Sequence, residues 1–333
     1  MDRETAALLG QLEPVAERLL ERHLAAAKEW FPHELVPWSR GRDFEPDEEW
    51  DPSETNLSDA ARSALYVNLL TEDNLPHYFR TISSLFELDA PWGSWSRRWT
   101  AEEGRHAIVI RDYLTVTRSI DPWVLERSRM DQVSLGEVPE PPTVPDLLVY
   151  VTLQELATRI SHRNTGRVLD DRKGYEIMAR VAGDENLHHN FYRDMSSALL
   201  EVDPSAGVIA IERQVREFAM PGTGIADFGT HARRIANAGI YDFISHHDHI
   251  LKPIVLGTWG LESIEGLSPE AEAARERTVN HITKVGKAAR RLAAKREAKR
   301  SHEAEEGPGD LLLDPLSPED VAAPDEPEVN AAG

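Results

Sequence analysis

No cysteine occurs in this chain, which excludes disulfides, thiolate metal sites and cysteine nucleophiles. No apolar run approaches the length a transmembrane helix needs. The opening MDRETAALLGQLEP lacks the basic start and apolar stretch of a signal peptide, so the expectation is a soluble, cytoplasmic protein. Strand signals are sparse, no glycine-rich phosphate loop sits between a strand and a helix, and no serine nucleophile elbow occurs. Positive charge is also scarce. With 37 Lys/Arg against 58 Asp/Glu the net charge is −21, which argues against nucleic acid as the main partner.

What remains is a helix-rich composition dominated by Ala, Leu, Glu and Arg. The 333 residues, 41% of them hydrophobic, are ample for a large core. Length alone allows two domains, but the pattern reads as one helical domain over residues 1–300. The charge is unevenly spread. Residues 301–333 hold ten acids and no Lys or Arg, and read as a disordered acidic tail. Residues 281–300 hold eight Lys/Arg against the single acid Glu297, and read as a basic helix leading into that tail.

Along the chain, Val15, Leu19, Leu20 and Leu24 place a helix over 11–30, followed by a Pro/Trp-rich segment. A long helix is expected over 58–87. Pro76 lies inside it and removes the hydrogen bond to the Glu72 carbonyl, which predicts a kink there. After the turn at Asp89-Ala-Pro-Trp-Gly, a second helix spans 94–118. The longest break covers 119–145 and ends in proline-rich sequence. Helices over 146–164 and 171–200 come next. Later helices are expected over 204–218, 225–237, 239–256 and 268–299, punctuated by Met220-Pro-Gly-Thr-Gly224.

One unit repeats. Glu103-Gly-Arg-His106 and Glu185-Asn-Leu-His188 both carry Glu-x-x-His, and each has a glutamate upstream, Glu72 by 31 residues and Glu155 by 30. Residues i and i+3 share a helix face, so each pair can grip one ion. An acid thirty residues back suits the preceding helix of an antiparallel hairpin. Two such hairpins, joined by a long crossover, are the wiring of ferritin-like di-iron or di-manganese bundles. The fold expected is therefore all-α, a ferritin-like bundle with a four-helix di-iron core and additional packed helices. Four carboxylates facing one another inside a bundle need cations, because each unpaired buried charge costs several kcal/mol. Four ionised glutamates and two neutral histidines balance two divalent ions. Mixed oxygen and imidazole ligation with an open position suits iron or manganese better than tetrahedral zinc. His246-His247-Asp248-His249 points its histidines around a helix and reads as a surface or interface patch. Glu102 reads as an acid behind the ligands or on the surface.

At these residues the chain resembles the soluble acyl-carrier-protein desaturases of plant plastids and actinobacteria. The likeness lies in Thr71-Glu-Asp-Asn-Leu-Pro76, Trp99-Thr-Ala-Glu-Glu-Gly-Arg-His106, Gln154-Glu-Leu-Ala-Thr158 and Asp184-Glu-Asn-Leu-His188. Echoes follow in Ile160-Ser-His-Arg-Asn-Thr165 and around Gly260–Ser268, and the likeness covers roughly residues 10–295.

The resemblance implies two iron ions per chain, ligated by Glu72, Glu103, His106, Glu155, Glu185 and His188. It makes Glu103 and Glu155 the pair that bridges both irons. It makes Thr158 a proton-relay or oxygen-positioning group; read alone, Thr158 is equally a threonine bonding to its own helix. Asp184 is implied to orient His106, and Trp30 to carry that path toward the surface for incoming electrons. The implied reaction removes two hydrogens from an unactivated methylene pair of an acyl chain, with dioxygen as co-substrate and a ferredoxin-type donor. The implied partners are acyl-carrier protein, whose acidity calls for a local basic patch with the Lys284–Arg300 helix as candidate, and a second copy in a homodimer. By alignment, Thr81, Ile82, Leu85 and Leu148 line the acyl channel.

Rival readings are another ferritin-like di-iron oxidase, an iron store and a non-catalytic di-iron relative. A radical-generating ribonucleotide reductase subunit would want a tyrosine one turn after the first ligand histidine, where this chain has Ile110, and an aspartate in place of Glu72. Gly104 departs from the plant pattern and loosens its helix by up to about 1 kcal/mol.

Overall fold

Helical spacing predicts helices, and the computed structural model of the chain shows no strand among its described residues. These are residues 2–306 except 46, 47, 87, 88, 220, 221 and 223. The elements are α1(Arg3–Ala26), the single turn α2(Pro32–Leu35), α3(Asp59–Glu72), α4(Leu75–Leu85), α5(Ala90–Val116) and α6(Pro122–Leu135). There follow α7(Val144–Val168), α8(Arg172–Val202), α9(Pro204–Glu217), α10(Phe228–Asn237), the short α11(Phe243–His246) and α12(Pro269–Glu306). A π-helix over His247–Thr258 continues α11.

Four helices form the centre. α3 lies against α5 and α7, and α8 lies against the same two, which closes a ring. α1 covers α8 and α5, α9 covers α7 and α8, and α10 covers α3. The fold is the ferritin-like bundle with added helices that the hairpin arithmetic implies. Polar caps start the central helices. Ser58 Oγ accepts from the Ala61 amide at 3.2 Å, Thr143 Oγ1 from the Asp146 amide at 3.3 Å, and the Asp171 carboxylate from the Lys173 amide at 3.2 Å.

Several elements differ from expectation, each for a local reason. The first helix begins at Arg3, because Asp2 caps it and buried Leu9 and Leu12 extend the apolar stripe past Pro14. The 58–87 helix is broken in two. Its first half ends at Glu72 and a new helix starts at Leu75, with Pro76 in the first turn where no amide is needed. The 119–145 crossover contains α6, started by Asp121 accepting from the Trp123 amide at 2.9 Å and stopped by Gly136 at φ +66°. The expected 239–256 helix is instead α11 plus the π-helix, in which the Trp259 amide reaches back five residues to the Ile254 carbonyl.

α12 runs to Glu306, so residues 301–306 of the expected tail are helical; 307–333 lie outside the described residues. Within the 220–224 loop, Met220, Pro221 and Thr223 also lie outside them. The chain divides into two units, Met1–Ala289 and Arg290 onward.

Two apolar clusters bracket the centre of the bundle. One gathers Trp92, Trp95, Trp99, Leu147, Tyr150, Phe191 and Tyr192, the other Leu65, Leu69, Val109, Ile110, Met178 and Val181. On α5 and α8 the Glu-x-x-His units fall between them, in a band sealed from water on both sides. Gly104 lies in that band, and a Cβ there meets only Leu75 Cδ2 at 3.9 Å, an ordinary contact. Gly104→Ala is therefore expected to raise the melting temperature, by the equivalent of about 1 kcal/mol, with metal loading unchanged. A lower melting temperature overturns this.

Candidate metal centre

The four central helices each deliver one acid to a common point. Glu72 ends α3, Glu103 and His106 sit on α5, Glu155 on α7, and Glu185 and His188 on α8. All six are buried. Their donor atoms form two groups, each within 4.8 Å: Glu72, Glu103, His106 and Glu185, and Glu103, Glu155, Glu185 and His188. Glu103 and Glu185 belong to both groups. Of the pair expected to bridge, Glu103 lies in both groups and Glu155 in the second only. The shared acids are those of the Glu-x-x-His units, because each lies beside its own histidine and faces the opposite unit across the bundle.

Both histidines turn the same nitrogen inward. His106 Nδ1 lies 3.2 Å from Glu103, 3.4 Å from Glu185 and 3.6 Å from Glu72. His188 Nδ1 lies 2.7 Å from Glu103 Oε1 and 3.7 Å from Glu155 Oε2. The outward Nε2 atoms meet carboxylates that precede the shared glutamates by one residue. His106 Nε2 faces Asp184 at 3.4 Å, and His188 Nε2 faces Glu102 at 2.9 Å. A proton on Nε2 donates outward and leaves the Nδ1 lone pair for a metal.

Each outer carboxylate is itself held. Asp184 accepts from Trp30 Nε1 at 2.9 Å and from Arg105 at 2.8 Å, with the Arg105 guanidinium 4.7 Å from the Trp30 ring centre. Trp30 stacks on His106 at 6.4 Å with planes 7° apart. The sequence placed Trp30, Asp184 and His106 in one chain of contacts, and the structure brings them together. Glu102 bonds His23 Nε2 at 2.9 Å and accepts from Arg98 Nε at 2.7 Å.

Besides the inward-facing ligand histidines, each end acid has a donor from another helix: His162 Nε2 lies 2.9 Å from Glu72 Oε1, and Trp99 Nε1 donates to Glu155 Oε1 at 3.0 Å. Thr158 Oγ1 reaches Glu185 Oε2 at 2.7 Å and also its own helix at Glu155 O, 3.1 Å. Both readings of this residue therefore have their contact.

The electrostatics call for a cation. Burial, with the Glu185 and Glu103 charges, pushes the Glu155 carboxyl well above its usual range, and burial with Glu185 raises Glu103. Burial also opposes charge on Glu185, but hydrogen bonds from His106 and His162 hold it well below the usual range. Burial opposes charge on His106 and His188 too. The Glu103 charge and the Asp184 bond outweigh this for His106, and bonds to Glu102 and Glu103 do so for His188, so both are held well above normal. Glu103 Oε1, His106 Nδ1, Glu155 Oε2 and His188 Nδ1 are buried, and at the common point they meet only one another and the other glutamates of the set. All four face the common point, the donor set that two metal ions of the iron or manganese type would take.

A pH dependence follows. The charged histidines stabilise the metal-free protein below about pH 6.5, and that contribution is lost as pH rises through their raised values. Metal binding must displace those protons. Anaerobic ferrous titration of metal-free protein in weak buffer at pH 7 is expected to release about two protons per chain, and affinity to strengthen as pH rises. Binding without proton release overturns this.

Beside the acids lies a narrow cleft with about 30 Å³ of free volume. Glu72, Glu103 and Trp99 form its inner wall, and Leu75, Tyr78, Leu147, Tyr150 and Val151 line its sides. Of the four residues placed along an acyl channel by alignment, Thr81 and Ile82 line this cleft and Leu85 and Leu148 lie outside its lining. Leu85 packs into the first apolar cluster and Leu148 is fully buried there, while its neighbour Leu147, about 100° round the helix, faces the cleft.

Sequence reading missed His23, Trp99, Arg105 and His162 as parts of this site, and left Glu102 either behind the ligands or on the surface; the structure puts it behind His188. Two signals were present: an acid precedes the glutamate in both repeats, and His162 lies seven residues after Glu155, on the same helical face. Nothing local points to His23, which α1 brings in from outside the core. The His246–His249 patch is not simply surface. His247 is buried and bonds Asp248 at 2.6 Å, and His246 Nδ1 bonds the Tyr241 hydroxyl at 2.8 Å.

Comparison with known proteins agrees with this geometry. A family profile described as fatty acid desaturase matches residues 4–306. A Mycobacterium tuberculosis protein provisionally named acyl-carrier-protein desaturase DesA1 is 42% identical over 279 residues, covering 81% of this chain and 82% of the relative. The chloroplastic stearoyl-acyl-carrier-protein 9-desaturase 6 of Arabidopsis thaliana is 32% identical over 243 residues, covering 66% of this chain and 61% of that one. An X-ray structure of M. tuberculosis DesA2, provisionally named an acyl-ACP desaturase, superposes with a TM-score of 0.66 at 28% identity, covering 80% of this chain and 99% of that one.

Proposed function

This chain belongs to the fatty acid desaturase family, a family of oxidoreductases, and from that premise we propose that it desaturates an acyl chain carried on acyl-carrier protein. The reaction takes a –CH2–CH2– pair, dioxygen, two electrons and two protons to a cis –CH=CH– and two waters. The electrons come from a ferredoxin-type donor. Glu72, Glu103, His106, Glu155, Glu185 and His188 hold two iron ions, which when bound supply the electron storage and oxygen activation that side chains lack.

The remaining roles belong to the protein. The cleft along Thr81, Ile82, Leu147 and Val151 holds the methylene chain and excludes water. Thr158 holds a proton at Glu185 Oε2. Trp30, Arg105 and Asp184 form the route by which electrons reach His106. The carrier, itself acidic, docks on the basic stretch Lys284–Arg300, where Lys284, Lys287, Arg290 and Arg291 are exposed. Residues 1–300 are the catalytic domain and 301–333 an acidic appendage. The protein works in the cytoplasm; no helix among the described residues is long and apolar enough to cross a membrane.

One observation carries this reading: six buried carboxylate and imidazole donors converge on one point, and a narrow cleft lined by apolar side chains reaches two of them, Glu72 and Glu103. Its test is aerobic incubation with reduced ferredoxin and saturated acyl-carrier substrates of several lengths, followed by fatty acid analysis. Unsaturated product is expected. No product from any length, with two irons loaded, refutes it.

The protein forms a homodimer in this proposal. Trp123, Val124, Met130 and Leu135 of α6 and Ile108 of α5 are exposed apolar side chains, and the Arg111–Glu126 bond at 2.8 Å ties the two helices together. A Trp123→Glu, Met130→Glu variant is expected to sediment as a monomer with unchanged helix content. A variant that remains dimeric shows that the face lies elsewhere.

A further inference from the structure

The two halves of the centre are close to symmetric in their ligands but unequal in what holds their end acids. Glu155 stands in the middle of the 25-residue α7 and accepts from the Trp99 indole at 3.0 Å. Its backbone is fixed on both sides by helical hydrogen bonds. Glu72 is the last residue of α3, and the chain breaks over Asp73 and Asn74 before α4. Pro76 stands where an amide would bond the Glu72 carbonyl if the helix continued. The Glu72 carboxylate therefore lacks the backbone support its counterpart has.

A side chain from another helix supplies that support. His162 of α7 is 1% exposed, and its Nε2 lies 2.9 Å from Glu72 Oε1 and 3.5 Å from Glu185 Oε1. No other hydrogen bond to the Glu72 carboxylate occurs among the described residues, apart from the inward-facing His106. With its proton on Nε2, His162 ties an end acid to a shared acid and sets the direction in which the free Glu72 oxygen points. Metal-bound carboxylates depend on such partners, whose loss usually weakens binding 10–100-fold.

We propose that His162 is the positioning residue for the Glu72 half of the centre, so that the two metal positions depend on different residues and the Glu72 position is the more easily lost. This rests on the two-metal reading above. The test is anaerobic titration with 57Fe ferrous ion of wild type, His162→Phe, His162→Gln and Trp99→Phe, with Mössbauer spectra and far-UV circular dichroism.

Wild type is expected to take two irons per chain. His162→Phe should keep one tight site and weaken the other by about 10–100-fold, with one of the two ferrous components altered. His162→Gln, which keeps an N–H donor, should recover most of the lost affinity. Trp99→Phe should weaken binding less. Two tight irons and an unchanged spectrum in His162→Phe overturn the proposal, and so does loss of both irons with helix content intact. If His162→Phe does not fold, His162→Asn, too short to reach Glu72, is held to the same outcomes. Wild type taking fewer than two irons instead overturns the metal reading itself.

Discussion

Replacing Glu155 by alanine is expected to abolish two-metal loading and desaturation while leaving the helices in place. Glu155 is 1% exposed, and burial and the neighbouring Glu185 and Glu103 charges work against its ionised form. In the metal-free protein its removal relieves repulsion, while the lost packing opposes that gain. The net change should stay within about 1–2 kcal/mol. The loaded protein behaves differently. Metal at a thousandfold excess over Kd stabilises by about 4 kcal/mol, or about 6 °C in melting temperature for a chain of this size. Wild type should show that rise on adding ferrous ion and Glu155→Ala should show little or none. Affinity should fall by more than the 10–100-fold typical of an outer partner. Calorimetry with and without metal, plus iron analysis, decides it. A variant with two irons and the full thermal shift refutes the assignment of Glu155 as a ligand.

The second large effect is expected at Asp184. Its carboxylate is shared by Trp30, Arg105 and His106. Asp184→Ala takes from the Arg105 guanidinium, 16% exposed, its closest carboxylate and leaves it the Trp30 and Glu102 carbonyls and the Glu102 carboxylate at 4.0 Å. Breaking a buried pair in this way costs about 3–5 kcal/mol, and the residual exposure of Arg105 puts this case near 3. That corresponds to a melting temperature about 4 °C lower at pH 7. Burial opposes the Asp184 charge, but its bonds, led by His106, hold its pKa below 3.8. Its contribution is thus present above about pH 3.8 and is lost as pH falls through the depressed value. The gap between wild type and variant should therefore close in acid. Turnover with reduced ferredoxin should fall further than iron content does, because the electron route proposed above passes through Asp184. Equal stability at pH 7, or activity in proportion to iron, counts against this role.

Much of this was legible in sequence because it is local. A Glu-x-x-His unit puts its two donors on one face whatever surrounds it, and a thirty-residue spacing sets the hairpin that returns an upstream acid. Asp184 and Glu102 could both be found as acids preceding a ligand. α6 was missed although Asp121-Pro122 and Gly136 are ordinary start and stop signals, because the prolines downstream drew the whole stretch into a loop. The break after Glu72 was read only as a kink, because the sequence shows which hydrogen bond proline removes but not how far the helices on either side then diverge.

The chain's own order of residues determined that it is helical, that six donors occupy the central helices, and which family it belongs to. The tertiary structure decided that Glu103 and Glu185, not Glu155, are common to both donor groups. It also brought His23 to Glu102 and His162 to Glu72, and turned Leu147 rather than Leu148 to the cleft. These depend on how far each helix is rotated about its axis and how deep it sits in the bundle. Both are set by packing against neighbours distant in sequence, so no local pattern encodes them.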